Sequence, residues 1–272
     1  MLYKRLLLKE IDKRFADSPA ILRIYIAEKN ESIEKRPGML VCPGGGYSFT
    51  SPREAEPIAF RFLSEGFNCF ILDYTVGKKY PAPHLDLALA FAYIRKHEEE
   101  FSLLPDSLSI VGFSAGGHLV GSYGYLYKEL AKELGVEESL LRPFCIVMGY
   151  PVVSTSKYTH EETSQIISGG DDKLRERMDI AKNVGKDYPP TFLWTTKDDD
   201  LVPYENTTLM EDALKKNGIK YQCVIYDSGW HGASLANRSC TRKGDLTEKM
   251  KDLRDWASLA SDFIYEILDK KF

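Results

Sequence analysis

The stretch Gly112-Phe113-Ser114-Ala115-Gly116 places a serine between glycines in the pattern G-x-S-x-G, directly after the apolar run SLSIV and before a helix-compatible segment. A strand that turns sharply into a helix exposes a hydroxyl at the turn, and the flanking glycines let strand and helix pass close together. The N-terminus of the following helix favours negative charge developing nearby. Ser114 is therefore a candidate nucleophile for acyl transfer. Its hydroxyl is weakly nucleophilic near neutral pH, so it requires a general base, and the chain has five histidines.

The surroundings of each histidine rank them. His97 sits in RKHEEE at a solvated helix end, His84 in the turn PAPH, and His160 in a polar stretch, none on a loop expected at the site. His118 is near Ser114 in sequence but lies one helical turn beyond it, directed away from the mouth, and reads as a locally bonded helix residue. His231, in SGWHGASL, follows the last expected strand and is flanked by Gly229 and Gly232, so its loop can return the side chain toward Ser114. It is the candidate base. The acid should follow the preceding strand, where KDDDLVPYEN offers Asp198, Asp199 and Asp200; position alone leaves the three open. One of them must accept from the imidazole N–H, and the others stay solvated or cap a helix beginning near Tyr204.

A second cluster, VCPGGGY (41–47), carries three consecutive glycines after an apolar run and suits a backbone N–H cradle for negative charge. It does not match phosphate loops. After Gly46 the chain continues Tyr-Ser-Phe-Thr without the lysine of G-x-x-x-x-G-K-[ST], and Phe49 stands where G-x-G-x-x-G needs glycine. Gly45, Gly46, Tyr47 and Ala115 are the candidate N–H donors to an oxyanion.

These groups need a scaffold. The 272 residues suffice for one large α/β domain. With 43% hydrophobic and 28% charged residues and a net charge of −4, the chain has the composition of a globular protein and no basic footprint for nucleic acid. No apolar run reaches membrane-spanning length, and Leu6–Leu8 is too short for a signal-peptide core. Five cysteines without a C-x-x-C pair point to a reducing cytosol.

Strands are expected at 20–27, 38–42, 67–74, 107–113, 144–153, 191–196 and 221–227, and helices at 54–66, 85–97, after Ser114, 204–218 and 253–270. Their alternation predicts a mainly parallel sheet covered on both faces. Residues 154–190 break the rhythm with Gly169-Gly170 and the helix-like DDKLRERMDIAKNV but no strand, and are expected to form an insertion serving as lid or substrate wall.

On the residues CPGGGYSFTSPREAEPIAFRF, ILDYTVGKKYPAPHLDLALAFAYIR, GFSAGGHL, PPTFLWTTKDDDLVPYEN and SGWHGASL, the sequence resembles the α/β-hydrolase superfamily. The likeness spans nearly the whole chain and is to small bacterial esterases related to acetyl-xylan esterases and to the hormone-sensitive-lipase group. The order serine, acid, histidine is the one this fold implies. In that family the acid stands four positions before the proline of a D-x-x-V-P-type segment; Pro203 thus selects Asp199, with Asp198 the fallback. The family's H-G-G-G loop is matched by Pro43-Gly44-Gly45-Gly46, and proline in the histidine position is closer to the carbohydrate-esterase branch.

The resemblance implies a single α/β-hydrolase domain over 1–272 that hydrolyses short acyl, chiefly acetyl, esters of sugars or xylo-oligosaccharides through an acyl-serine, without metal or organic cofactor. Aromatic residues Tyr47, Phe49, Tyr74, Tyr158 and Trp230 are candidates to stack on a sugar ring, Tyr47 and Trp230 foremost. Many relatives of this size self-associate, though no segment identifies a homo-oligomer interface. Two rivals are a prolyl-oligopeptidase-type serine peptidase, for whose propeller 272 residues leave no room, and a binding protein on a hydrolase scaffold, which typically lacks a triad member.

Overall fold

The computed structural model describes residues 1–241, 246 and 248–271. Its centre is an eight-stranded sheet: β1 (Leu2–Leu7), β2 (Ile21–Ile26), β3 (Arg36–Cys42), β4 (Asn68–Asp73), β5 (Leu103–Phe113), β6 (Ile146–Gly149), β7 (Thr191–Thr196) and β8 (Tyr221–Tyr226). The spatial order is β1-β2-β4-β3-β5-β6-β7-β8. The pairs β1–β2 and β2–β4 are antiparallel and the rest parallel.

Both faces of the sheet are buried, and side chains alternate between them. Leu40, Phe70, Leu108, Ile110 and Leu193 enter one core, while Met39, Val41, Ile71, Val111, Phe113, Phe192 and Trp194 enter the other. The long helices complete the layers. α3 (Ala82–Lys96), α4 (Ala115–Leu134) and α9 (Glu205–Lys216) cover the first face; α2 (Glu56–Ser64) and α10 (Trp256–Leu268) cover the second. Short helices α1 (Leu8–Ile11) and α5 (Glu138–Leu141) follow β1 and α4. Trp256 of α10 stacks on Trp194 of β7 at 5.1 Å between centroids.

The structure corrects the expected elements in three places. β1 carries Lys4 and Arg5 and has no fully buried residue, so at the sheet edge it needs no continuous apolar run, and the pattern that marks central strands is missing from it. β6 keeps only Ile146–Gly149 of the expected 144–153, because Tyr150 turns out of the ladder at φ 35° ahead of Pro151. The segment DDKLRERMDIAKNV is two helices rather than one, α7 (Asp172–Arg177) and α8 (Ile180–Asn183), preceded by α6 (Glu161–Ser168). The break falls at Met178, whose buried carbonyl accepts from His118 Nε2 at 2.9 Å, and at Asp179, whose carboxylate accepts from Ser154 and Ser156 hydroxyls. All five cysteines are free thiols, and no helix among the described residues is long and apolar enough to cross a membrane.

Candidate active site

Ser114 sits between β5 and α4 at φ 52°, ψ −119°, a strained conformation for a residue with a side chain. The glycines around it are demanded by contact. A Cβ on Gly112 would lie 2.2 Å from the Gly116 carbonyl oxygen, and one on Gly116 would lie 2.2 Å from that of Cys42. The turn can close only if both lack side chains. Its closure is fixed by backbone bonds from Ser114 N–H to Gly149 O and from His118 N–H to Ser114 O, each 3.0 Å.

His231 comes from the loop after β8. Its Nε2 is 2.8 Å from Ser114 Oγ, and its Nδ1 is 2.8 Å from Asp199 Oδ2. A carboxylate can only accept, so Nδ1 carries the proton and Nε2 accepts from the serine hydroxyl. Asp199, on the loop after β7, has a side chain with no exposed surface. Its Oδ1 accepts from the N–H groups of Val202 (2.8 Å) and Leu201 (3.1 Å), which fix the carboxylate plane toward the imidazole. The neighbouring aspartates differ. Asp198 is exposed and accepts from Ser228 Oγ and Gly229 N–H, tying down the start of the His231 loop. Asp200 lines the cavity rim.

The cavity over Ser114 holds about 550 Å³ and is lined by Gly45, Gly46, Phe49, Glu54, His160, Glu162, Trp230 and His231 among others. A separate cavity of about 420 Å³ between Phe15, Thr75, Asp86 and Leu134 contains no histidine and lies apart from this cluster. The glycine loop runs along one wall. Gly45 (φ 126°) turns so tightly that a Cβ would stand 2.2 Å from the Phe49 carbonyl oxygen. Gly44 N–H is taken by Glu54 Oε2 at 2.8 Å, whereas among the described residues no acceptor takes the N–H of Gly45, Gly46, Tyr47 or Ala115. Of these four, Gly45 and Gly46 line the cavity.

Tyr47 requires a correction. Its ring, expected to stack on a substrate, is fully buried and points away from the cavity, with its hydroxyl on His118 Nδ1 at 2.9 Å. The left-handed backbone at Tyr47 (φ 61°) turns the side chain into the core beneath the loop. Tyr74 is buried likewise, its hydroxyl donating to Pro43 O at 2.7 Å, and Tyr158 is exposed outside the cavity. Phe49 and Trp230 are the two aromatic residues of the five that line it.

The other histidines also lie differently from expectation. His118 is bonded across the fold rather than within its helix, between Tyr47 and Met178. His84 is buried in α3, with Nε2 on Ser122 Oγ at 2.7 Å, instead of lying in a turn. His160, expected outside the site, lines the cavity at the start of α6. Burial pushes its pKa below the usual value, with Glu162 pulling it up and His231 pushing it further down.

Sequence reasoning missed Glu54. It is 3% exposed, and its carboxylate joins three segments: Gly44 N–H, the Tyr150 hydroxyl (2.5 Å), and through that hydroxyl the N–H of Ser234 on the His231 loop (3.2 Å). The Tyr150 ring in turn packs edge-on to His231 at 5.1 Å. The available signal was a carboxylate ten residues after Gly44, in a short segment bounded by Pro52 and Pro57 that cannot retreat from the loop.

The mostly parallel sheet and its covering helices are shared with known proteins. The BD-FAE family pattern matches residues 22–214, more than half of the sequence. The chain belongs to the BD-FAE family. Its likeness to endo-1,4-β-xylanase B of Butyrivibrio fibrisolvens is 33% identity over 212 residues, covering 75% of this chain and 33% of that protein. Acetylxylan esterase of Xylanibacter ruminicola is 28% identical over 200 residues, covering 70% and 39%. The chain thus spans between 33% and 39% of the length of these two curated relatives. Among solved structures, an acetyl ester-xyloside bifunctional hydrolase from Caldicellulosiruptor lactoaceticus superposes with a TM-score of 0.83 at 30% identity, covering 97% of this chain and 96% of that one. The α/β-hydrolase MGS-M1 from a deep-sea metagenome library superposes with a TM-score of 0.76 at 28% identity, covering 99% and 98%. This BD-FAE chain therefore has the α/β-hydrolase fold.

Proposed function

We propose that this protein is a serine carboxylic-ester hydrolase that removes short acyl groups, chiefly acetyl, from sugar or xylo-oligosaccharide esters. The observation that carries the reading is the hydrogen-bonded line from Ser114 Oγ through His231 to Asp199, 2.8 Å at each step, opening on a cavity beside unpaired backbone N–H groups. Relatives bearing the names acetylxylan esterase and acetyl ester-xyloside bifunctional hydrolase support the ester and sugar parts of it.

In the proposed reaction Ser114 Oγ attacks the acyl carbon as its proton passes to His231 Nε2. Asp199 holds Nδ1–H and stabilises the imidazolium without taking its proton. The tetrahedral oxyanion is met by the N–H groups of Gly45, Gly46 and Ala115, each donor lowering the barrier by roughly 3 kcal/mol in comparable sites. His231 then protonates the departing alkoxide, leaving an acyl-serine. Water, deprotonated by His231, attacks that ester; the second tetrahedral intermediate collapses to the carboxylic acid and free Ser114. The Ser114 proton leaves with the alcohol, and the proton His231 takes from water passes to Ser114 Oγ as the second intermediate collapses, so the enzyme is regenerated and the net reaction is ester plus water to acid plus alcohol.

The short acyl group is supported by the relatives named acetylxylan esterase and acetyl ester-xyloside bifunctional hydrolase; the cavity itself has both polar walls (Ser51, Glu162, Asp200) and apolar ones (Phe49, Leu201, Trp230). Ser114→Ala should lower kcat on 4-nitrophenyl acetate by roughly a million-fold and abolish labelling by a fluorophosphonate. Full turnover by the purified variant would remove the proposal. An unlabelled wild-type protein would favour a non-catalytic binding role, and preference for long acyl chains would remove the acetyl assignment.

A further inference from the structure

His160 and Glu162 stand together over the glycine loop. A Cβ placed on Gly46 would touch His160 Cε1 at 3.8 Å and Glu162 Oε2 at 3.9 Å, and both residues line the cavity that contains Ser114. His160 caps α6: its Nδ1 accepts from Thr163 N–H at 3.4 Å and lies 2.9 Å from Thr163 Oγ1. A backbone N–H can only donate, so Nδ1 carries the lone pair and the proton of the neutral ring is on Nε2. No acceptor among the described residues takes that Nε2–H. Glu162 is half committed in the same way. Its Oε1 accepts from Ser48 Oγ at 2.6 Å, while no donor among the described residues reaches Oε2. The two side chains make no ion pair with each other.

One donor and one acceptor are thus left open side by side, each oriented by its other bond. A hydroxyl group, which donates and accepts at once, satisfies both, whereas a carbonyl or an alkyl group does not. A carboxylate-bearing ligand is disfavoured by Glu162 and by Asp200 on the same rim. Gly46 is also one of the N–H groups beside which the oxyanion is proposed to form, so the hydroxyl bound here lies close to the ester.

We infer that His160 and Glu162 form a hydroxyl-binding subsite that selects partly acylated neutral sugars, those with a free hydroxyl next to the acylated one. This inference rests on the esterase reading, and the subsite would make a fully acylated sugar a poor substrate.

The test compares a methyl xyloside monoacetate bearing a free neighbouring hydroxyl with its deoxy analogue, in wild type, His160→Asn and Glu162→Gln. Asparagine retains a side-chain acceptor for the cap of α6 but is too short to reach the cavity as histidine does. Wild type should prefer the hydroxyl substrate by at least about tenfold in kcat/KM, since the hydroxyl makes one hydrogen bond to each residue, and each variant should lose the part of that preference carried by its own bond, chiefly through KM. If the preference is absent in wild type, or if both variants keep it while losing activity on the two substrates equally, the subsite is overturned. Failure of the esterase reading looks different: wild type would hydrolyse neither substrate nor 4-nitrophenyl acetate. Calorimetric titration with xylotriose then decides the subsite separately, weaker binding by both variants supporting it and no binding by wild type overturning it.

Discussion

Two imidazoles in this molecule are bonded to hydroxyls at almost the same distance, His231 to Ser114 at 2.8 Å and His118 to Tyr47 at 2.9 Å, yet their surroundings assign them opposite work. His231 has a carboxylate on its other nitrogen and stands at the cavity, so it can take a proton and hold the resulting charge. His118 donates its other N–H to the neutral carbonyl of Met178 and is fully buried, and burial pushes its pKa down to about 4 although Asp179 and the Met178 bond pull it up. One pair has the geometry to pass a proton and the other holds one in place. The third partner and the access to solvent make the difference, and a histidine near a hydroxyl is by itself a poor guide to catalysis. The still pair has a structural task. It pins Tyr47, the last residue of the glycine turn, to α4 and to the end of α7.

The comparison breaks most visibly at Asp199→Asn. The amide oxygen can keep the bonds from Leu201 and Val202, which leaves the NH₂ facing His231 and forces the tautomer that cannot accept from Ser114. By analogy with other triads kcat on 4-nitrophenyl acetate should drop about 10,000-fold while the thermal midpoint stays near wild type. A drop within tenfold would mean that the carboxylate is dispensable and the two histidines are less different than their partners suggest.

Acid should expose the other half of the contrast. The folded-state pKa of His118 lies below its unfolded value, so the unfolded chain binds the proton more readily. Stability from this group is full above about pH 6.5 and is lost as the pH falls toward 4, by about 3 kcal/mol there. His84, also pushed well below its ordinary value by burial, adds to the same slope. Urea unfolding at pH 7 and pH 4 measures it, and His118→Asn should flatten it; an unchanged slope in that variant would show that His118 is not the group being titrated.

Tyr47→Phe removes the hydroxyl and leaves His118 Nδ1 buried without a donor. It should cost about 2 kcal/mol in unfolding free energy and affect kcat more than KM, because the loop bearing the N–H donors loosens. The smallest effect belongs to Asp198→Asn. That carboxylate is exposed and only orients the start of the His231 loop, so a loss of about 0.5 kcal/mol and kcat within about threefold of wild type are expected. A large loss of activity there would transfer the acid's role from Asp199.

The central strands were legible because strands buried on both faces must be apolar at nearly every position, and the helices because their ends carry acidic starts or glycine stops. The turn at Ser114 was legible because a side chain on Gly112 or Gly116 would collide with backbone, so local sterics write themselves into residue identity. The edge strand Leu2–Leu7 left no such mark, since its exposed positions tolerate charge. Nor did the break at Met178, which depends on a histidine sixty residues away.

The sequence by itself determined the α/β alternation, the strained serine turn and the glycine loop, because each is imposed by contacts within a few residues or by the period of a secondary element. Position along the chain left Asp198, Asp199 and Asp200 open and the resemblance at Pro203 selected Asp199, whereas only the tertiary structure decided that Tyr47 faces inward and that His160 and Glu162, at the start of α6 between β6 and β7, stand over Gly46. Those outcomes depend on the direction of a side chain after the whole chain has closed, and residue type and spacing along the chain do not encode that direction.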